Sequence, residues 1–132
     1  MANLIHADLS EAIIGAAMNV LNTLKPGLDE KLYENALVIE LAGRGHRVDQ
    51  QKQFQVEYAG RRIGTLIPDL IIDDLIILHT KVVAAFTDTH LAQMSGYLAI
   101  TGLQVALLLN FKFDRLGWKR VVRSRTAALE GS

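Results

Sequence analysis

One short stretch of this sequence sets three chemically able side chains to meet. Asp69 follows Pro68 and opens the apolar run Leu70-Ile71-Ile72; a second run, Leu75 to Leu78, ends in His79-Thr80-Lys81, with Asp73-Asp74 between the two. With the chain turning back at Asp73-Asp74, residue 69 lies across from residues 78–79, and the strand period of two puts His79 and Lys81 on a common face. A carboxylate, an imidazole and an ammonium then gather at one sheet end, where burying polar groups is costly unless they are used. Two readings are open. The cluster is a reactive or metal-binding site, or Asp69 caps a turn, His79 is a satisfied half-buried histidine and Lys81 pairs with Asp69. Other catalytic templates are missing: there is no glycine-rich phosphate loop, nucleophile elbow or H-E-x-x-H. Ser10, Ser95, Ser124 and Ser132 have no hydrolase setting, and His6, His46, His79 and His90 are too dispersed for a three-histidine zinc site.

The elements that must position this cluster follow from periodicity. Asp8 with Glu11 reads as a capping box, after which Ile13, Ile14, Ala17, Val20, Leu21 and Leu24 recur at helical spacing until Lys25-Pro26-Gly27 stops the helix. Asp29 can cap a second helix, in which Leu32, Ala36, Leu37, Ile39 and Glu40 run on to the breakers Gly43 and Gly45. Phe54, Val56 and Tyr58 alternate with polar residues, as in a half-buried strand; Ala59-Gly60 turns the chain, and Arg61 to Thr65 returns it. The runs on either side of Asp73-Asp74 are apolar on both faces, which places them inside a covered sheet. Residues 88–100 read as a helix with Leu91, Met94, Tyr97 and Leu98 on one side, Gln104 to Asn110 as a buried strand, and Trp118 to Arg123 as a last, more polar strand. The expected fold class is α/β, a central mixed β-sheet flanked by helices, in one domain with its core at about 8–123 and residues 127–132 as a tail.

Composition narrows the classes. At 132 residues, 50% hydrophobic and 21% charged, the chain suits one packed domain rather than a disordered segment. It has no cysteine, which excludes disulfides, thiolate metal sites and cysteine nucleophiles. Its longest apolar run is far short of the ~20 residues a membrane span needs, and no export signal is read at the start, so no membrane and a cytoplasmic location are expected. The zero net charge is unevenly spread. Residues 1–40 hold two lysines against six acids, whereas residues 112–125 hold Lys112, Arg115, Lys119, Arg120, Arg123 and Arg125 against Asp114 alone. That basic stretch reads either as a solvated strand edge kept soluble by charge or as a surface for phosphate backbone.

Several segments resemble one family in order. Gly27-Leu28-Asp29-Glu30-Lys31-Leu32-Tyr33 matches the pattern that gives the GxxExxY protein family its name, and Pro68-Asp69 with Lys81 resembles the Pro-Asp and acid-x-Lys elements of the PD-(D/E)-x-K phosphodiesterases with which that family is grouped. The likeness also takes in THLAQMSGYLAITG and LLLNFKFDRLGWKRVV, running from about Leu9 to Val122. It implies a restriction-endonuclease-like fold in which two carboxylates hold a divalent ion, Mg²⁺ or Mn²⁺, against a scissile phosphate, while a lysine steadies developing charge. Carried over residue by residue, Asp69 and Glu30 would be metal-binding acids, Lys81 the charge-stabilising lysine, and Gln93 with Tyr97 an element near the site or the nucleic acid. Tyr33 matches the motif tyrosine, and His90 a recurring histidine. The bland counterparts are an exposed first-turn Glu30, a packing Tyr33, and a capped helix face for Gln93 and Tyr97.

The departure is central. His79 stands where the family has an acid; imidazole can ligate Mn²⁺, Fe²⁺ or Zn²⁺ but serves Mg²⁺ poorly. The first helix also reads Asn19-Val20-Leu21 where the family commonly has E-V-H. The resemblance therefore implies a nuclease-like protein with a degenerate site, His79 as a third candidate ligand, and weak or absent Mg²⁺-dependent cleavage. The alternative is a non-catalytic module that binds nucleic acid, DNA or RNA, through Tyr97, Lys112, Arg115, Lys119, Arg120 and Arg123, or binds another protein. A homodimer fits either reading, because the last strand leaves a sheet edge.

Overall fold

The double-sided apolar runs take the middle of a sheet, and the amphipathic segments cover it. The computed structural model describes residues 5–123, so Arg125 of the basic stretch and the tail at 127–132 lie outside the described residues. Helices α1 (Ala7–Leu24) and α2 (Glu30–Gly43) come first, followed by strand β1 (Val48–Gln50), the pair β2 (Phe54–Tyr58) and β3 (Arg61–Leu66), and the hairpin β4 (Leu70–Ile72) and β5 (Ile76–Lys81). Helix α3 (Asp88–Thr101) then leads to β6 (Val105–Asn110) and β7 (Gly117–Val122). Five strands form one mixed sheet in the order β1-β4-β5-β6-β7, while β2 and β3 form a separate two-stranded ribbon. The parallel pair is β5 with β6, joined by the α3 crossover; the other pairs are antiparallel. This is the expected α/β class, a mixed sheet flanked by helices.

Each face of the sheet has its own core. Leu70, Ile72, Ile76, Leu78, Val105, Leu107 and Leu109 pack beneath α1 and α2, meeting Ile13, Ala17, Leu21, Leu37 and Leu41. Ile71, Ile77, Ala106 and Leu108 pack against Met94 and Leu98 of α3. Strand alternation therefore assigns every polar residue at the strand ends to a side: Asp69, His79 and Lys81 share parity with Ile71 and Ile77 and belong to the α3 face, whereas Thr80 belongs to the α2 face. The β4–β5 turn falls at Asp73-Asp74 as expected. Both residues have positive φ, 53° and 58°, and Leu75 N–H closes on the Ile72 carbonyl at 2.9 Å, the pattern of a tight hairpin turn matched to strand twist. His46 Nδ1 and Arg47 N–H hold the Asp73 carboxylate at 2.7 and 2.8 Å.

Three local expectations are corrected. The Asp8–Glu11 capping box does not form: α1 begins at Ala7, after His6, with no side-chain cap. Asp29 sits at the N-cap of α2 without a side-chain cap bond, and its carbonyl accepts from Leu32 N–H instead. The buried side of α2 is Tyr33, Glu34, Leu37 and Leu41, so Leu32 and Ile39 face outward; the helix is rotated because Tyr33 fills the core by stacking on Phe111 at 4.6 Å. Strand β1 was not anticipated, since Val48-Asp49-Gln50 has a single apolar residue and is paired only because β4 offers it an edge.

Candidate functional site

The chain direction brings the polar strand ends together. The C-terminal ends of β5 and β6, the N-terminal end of β4, the C-terminal end of β1 and the N-terminus of α2 all lie at one end of the sheet. Asp69 and His79 meet as the register requires. Asp69 N–H donates to His79 Nε2 at 3.4 Å, leaving the ring proton for Nδ1, which stands 3.5 Å from Asp69 Oδ2. The same Oδ2 accepts from Thr80 N–H at 3.3 Å. The imidazole is buried and lies edge-on to the Tyr97 ring, centroids 4.9 Å apart. Burial first, and then the positive charge of Lys81, pull His79 down to about 4, so the ring is neutral at physiological pH. Burial first, and then the negative charge of Glu34, raise Asp69 to about 6; Thr80 N–H, Lys81 and Lys31 act against the rise. Burial and the charge of Asp69 raise Tyr97, while its hydrogen bond with Gln93 works the other way. Gln93, Tyr97, His79 and Asp69 thus form one cluster between α3 and the sheet.

Glu30 belongs to the other side. Its carboxylate accepts from Val82 N–H at 2.9 Å, and its carbonyl accepts from the Thr80 hydroxyl at 3.3 Å, so it ties the start of α2 to the end of β5. Lys81 makes no ion pair with Asp69 among the described residues and acts on it through space. Sequence reasoning missed Glu34, which is buried with one oxygen, Oε2, receiving Gln50 Nε2 at 2.8 Å, Gln51 Nε2 at 3.0 Å and Lys31 Nζ at 3.0 Å. Burial pushes Glu34 up, but those three donors outweigh it and hold the carboxyl below its ordinary value. The available signal was its place four residues after Glu30, one turn along the same helix. Asn110 was missed as well: its amide takes both polar groups of Val83, with Oδ1 accepting from Val83 N–H at 3.1 Å and Nδ2 donating to Val83 O at 2.8 Å, fixing the chain as it leaves β5.

Two residues of the resemblance have structural roles. Tyr33 donates its hydroxyl proton to the Lys25 carbonyl at 2.6 Å and accepts from Leu28 N–H at 3.2 Å, closing the turn in which Gly27 takes φ 114°. His90 completes a cap on α3: Thr87 Oγ1 accepts from His90 N–H at 3.2 Å, and His90 Nδ1 accepts from Thr87 N–H at 3.1 Å.

The expected metal-binding trio, Glu30, Asp69 and His79, is not assembled. Among the described residues no three histidine or acidic side chains gather as a metal group. Both His79 nitrogens face Asp69, the Glu30 carboxylate is on Val82 N–H, and Glu34 Oε2 is saturated by three donors. As placed, these side chains do not fit a divalent ion held by three of them, because no three converge among the described residues. The basic residues are also dispersed. Lys112 and Arg115 lie in the β6–β7 loop at the site end; Lys119, opposite Leu108, belongs to the α3 face; Arg120, opposite Leu107, belongs to the α1 face and donates to the Ile5 carbonyl; and Arg123 bonds the Gly102 carbonyl at the far end. They follow an edge strand rather than one patch. Among the described residues no helix is long and apolar enough to cross a membrane.

Known proteins share this architecture. The chain is similar to the solved structure of SSO0001, with a TM-score of 0.57 and 16% identity over 75% of this chain and 52% of that one, so it spans about half of that protein's length. It is also similar to an alkaline exonuclease (LHK-Exo) from Laribacter hongkongensis, with a TM-score of 0.50 and 14% identity over 91% of this chain and 86% of that one. The same exonuclease in complex with dAMP gives a TM-score of 0.51 and 14% identity over 92% and 86%. At these identities the likeness is one of fold. No curated protein matches the sequence. The family model described as the PD-(D/E)XK nuclease superfamily, whose nucleases generally use divalent metal ions, matches residues 7–121. With that match spanning most of the sequence, and the Pro68-Asp69 and Lys81 strand ends side by side on its sheet, the chain belongs to the PD-(D/E)XK nuclease superfamily.

Proposed function

We propose that this protein binds nucleic acid on a nuclease fold whose site is degenerate, with Mg²⁺-dependent cleavage weak or absent, and that its GxxExxY motif marks the branch of the superfamily to which it belongs. One observation carries the reading: the position of the family's second acid holds His79, a buried neutral imidazole with both nitrogens turned to Asp69. A carboxylate there would bring a negative charge and free lone pairs; this ring brings neither. The groups left at the strand ends suit a phosphodiester as a ligand. Lys81, in no ion pair among the described residues, supplies positive charge beside Asp69, with Gln93 and Tyr97 on the α3 side as hydrogen-bonding groups. Glu30 serves as a positioning residue, since its carboxylate fixes Val82 next to Lys81.

Labelled single- and double-stranded DNA and RNA are incubated with Mg²⁺ or Mn²⁺ and with wild type, Asp69→Ala or His79→Glu, and binding of the same substrates is measured without metal. The expected result is binding by wild type, little or no cleavage by it, and a gain of cleavage in His79→Glu. Efficient wild-type cleavage that Asp69→Ala abolishes would overturn the degenerate-site reading, and failure to bind any of the four nucleic acids would overturn the binding reading.

A further inference from the structure

The ribbon of β2 and β3 is not part of the main sheet, and its root is at the site. It leaves the body immediately after Gln51, whose N–H donates to the Asp69 carbonyl at 2.9 Å, and it returns through Leu66 to Pro68 and Asp69. Near the root it is anchored, because Phe54 packs with the α3 core. Beyond that the ribbon has little to hold. Tyr58 is 74% exposed and Ile63 67%, and Arg61, Arg62, Gln55 and Glu57 are exposed too. From Phe54 to Tyr58 the ribbon rises about 13 Å at ~3.3 Å per residue.

Its end is built rather than frayed. Tyr58 pairs with Arg61 across the turn at Ala59-Gly60, where φ is 53° and 76°. The register then shifts so that Val56 faces Gly64 and Glu57 faces Arg62, leaving Ile63 as an extra residue. Such a bulge sharpens the twist and re-aims side chains, and bulges are common beside functional sites. Residues 52–66 carry Lys52, Arg61 and Arg62 against Glu57 alone, a net charge of +2 in a chain whose total is zero. Neither arginine is in an ion pair with an acid among the described residues, although Glu57 is directly across from Arg62. Being consecutive in a strand, Arg61 and Arg62 project from opposite faces of the ribbon.

We infer that this ribbon is a duplex-DNA contact arm that enters the major groove and leads the backbone to the Asp69–Lys81 strand ends, a reading that rests on the nucleic-acid binding proposed above. The major groove of B-form DNA, ~12 Å wide, admits a two-stranded ribbon, and its two walls are phosphate backbones. An arginine on each face meets one wall each, while Tyr58, beside the turn, is left for base edges and thymine methyls. The deep, narrow major groove of duplex RNA does not admit such an arm.

The test measures equilibrium binding of the full chain to a labelled DNA duplex, the matching single strand and the matching RNA duplex, across 50–200 mM salt. Wild type is compared with the double variant Arg61→Ala/Arg62→Ala, and thermal unfolding of both checks that the exposed substitutions leave the fold intact. Loss of two phosphate contacts flattens the log–log salt slope by about 1.8 and, at 0.1 M salt, weakens duplex binding on the order of 50-fold. Unchanged duplex affinity in the double variant, or wild-type preference for single-stranded DNA or RNA duplex, would overturn the arm while leaving nucleic-acid binding in place. If wild type binds none of the three probes and not the matching RNA single strand either, both readings fall together.

Discussion

Replacing Asp69 by asparagine should make the protein more stable at neutral pH. Asp69 has a side chain only 24% exposed and a carboxyl raised from its ordinary 3.8 to about 6, by burial first and then by the charge of Glu34. A group whose folded value lies above its unfolded value adds stability that is fully present below pH 3.8 and is lost as pH rises through 6. Above pH 7 the native state therefore holds an ionised Asp69 at a cost that an uncharged isostere avoids. At about 1.36 kcal/mol per pH unit, the rise corresponds to about 3 kcal/mol, an upper figure because the carboxylate keeps some contact with water. Asparagine retains an oxygen to accept from Thr80 N–H, the hydrogen bond Asp69 receives at 3.3 Å. The assay is urea and thermal unfolding of wild type and Asp69→Asn from pH 4 to pH 8, read as a difference so that shared titrations cancel. The variant should gain up to about 3 kcal/mol at pH 8, equivalent to roughly 10 °C for a domain of this size, and almost nothing at pH 4. His79 is neutral across pH 6–8 and leaves that part of the difference undisturbed. A variant no more stable than wild type at pH 8, or a difference that does not change with pH, would refute the reasoning.

Other consequences can be checked alongside. Glu34→Gln removes the charge that Lys31, Gln50 and Gln51 surround and should cost about 2 kcal/mol at pH 7; because Glu34 is held below its ordinary value, that stability is present above pH 4.5 and lost as pH falls, so the penalty should shrink in acid unfolding experiments. In the Glu34→Gln background the gain from Asp69→Asn at pH 8 should be smaller, a coupling that a double-mutant cycle in urea detects. Tyr33→Phe loses the bonds to Lys25 and Leu28 and should cost about 1–2 kcal/mol without altering nucleic-acid affinity, as measured by urea unfolding beside a binding titration. Millimolar Mg²⁺ or Mn²⁺ should leave the wild-type unfolding midpoint unchanged within about 1 °C and raise that of His79→Glu, since an ion that binds only the native state stabilises it.

The strongly periodic elements were legible because their side chains leave no choice of partner. Leu70-Ile71-Ile72 and Ile76 to Leu78 are apolar on alternate residues in both directions, so only a sheet covered on two sides can bury them, and that requirement also put Asp69 opposite His79. The candidate site was legible only where one strand pair built it. Glu34 escaped because one charged residue in an amphipathic helix looks the same whether it points to water or to a strand end; what buries it is the rotation set by Tyr33 stacking on Phe111, nearly eighty positions away in sequence. The same holds for Gln50 and Gln51, whose amides matter only once β1 pairs with β4. Glu30 failed as a partner of His79 for a simpler reason: it approaches from the α2 face, while period-two alternation puts His79 and Lys81 on the α3 face. Sheet parity thus separates Glu30 from His79, which the family resemblance had joined. Asp69 and Glu34 nevertheless feel one another across the strand end, and the repulsion between them is what the Asp69→Asn and Glu34→Gln pair measures.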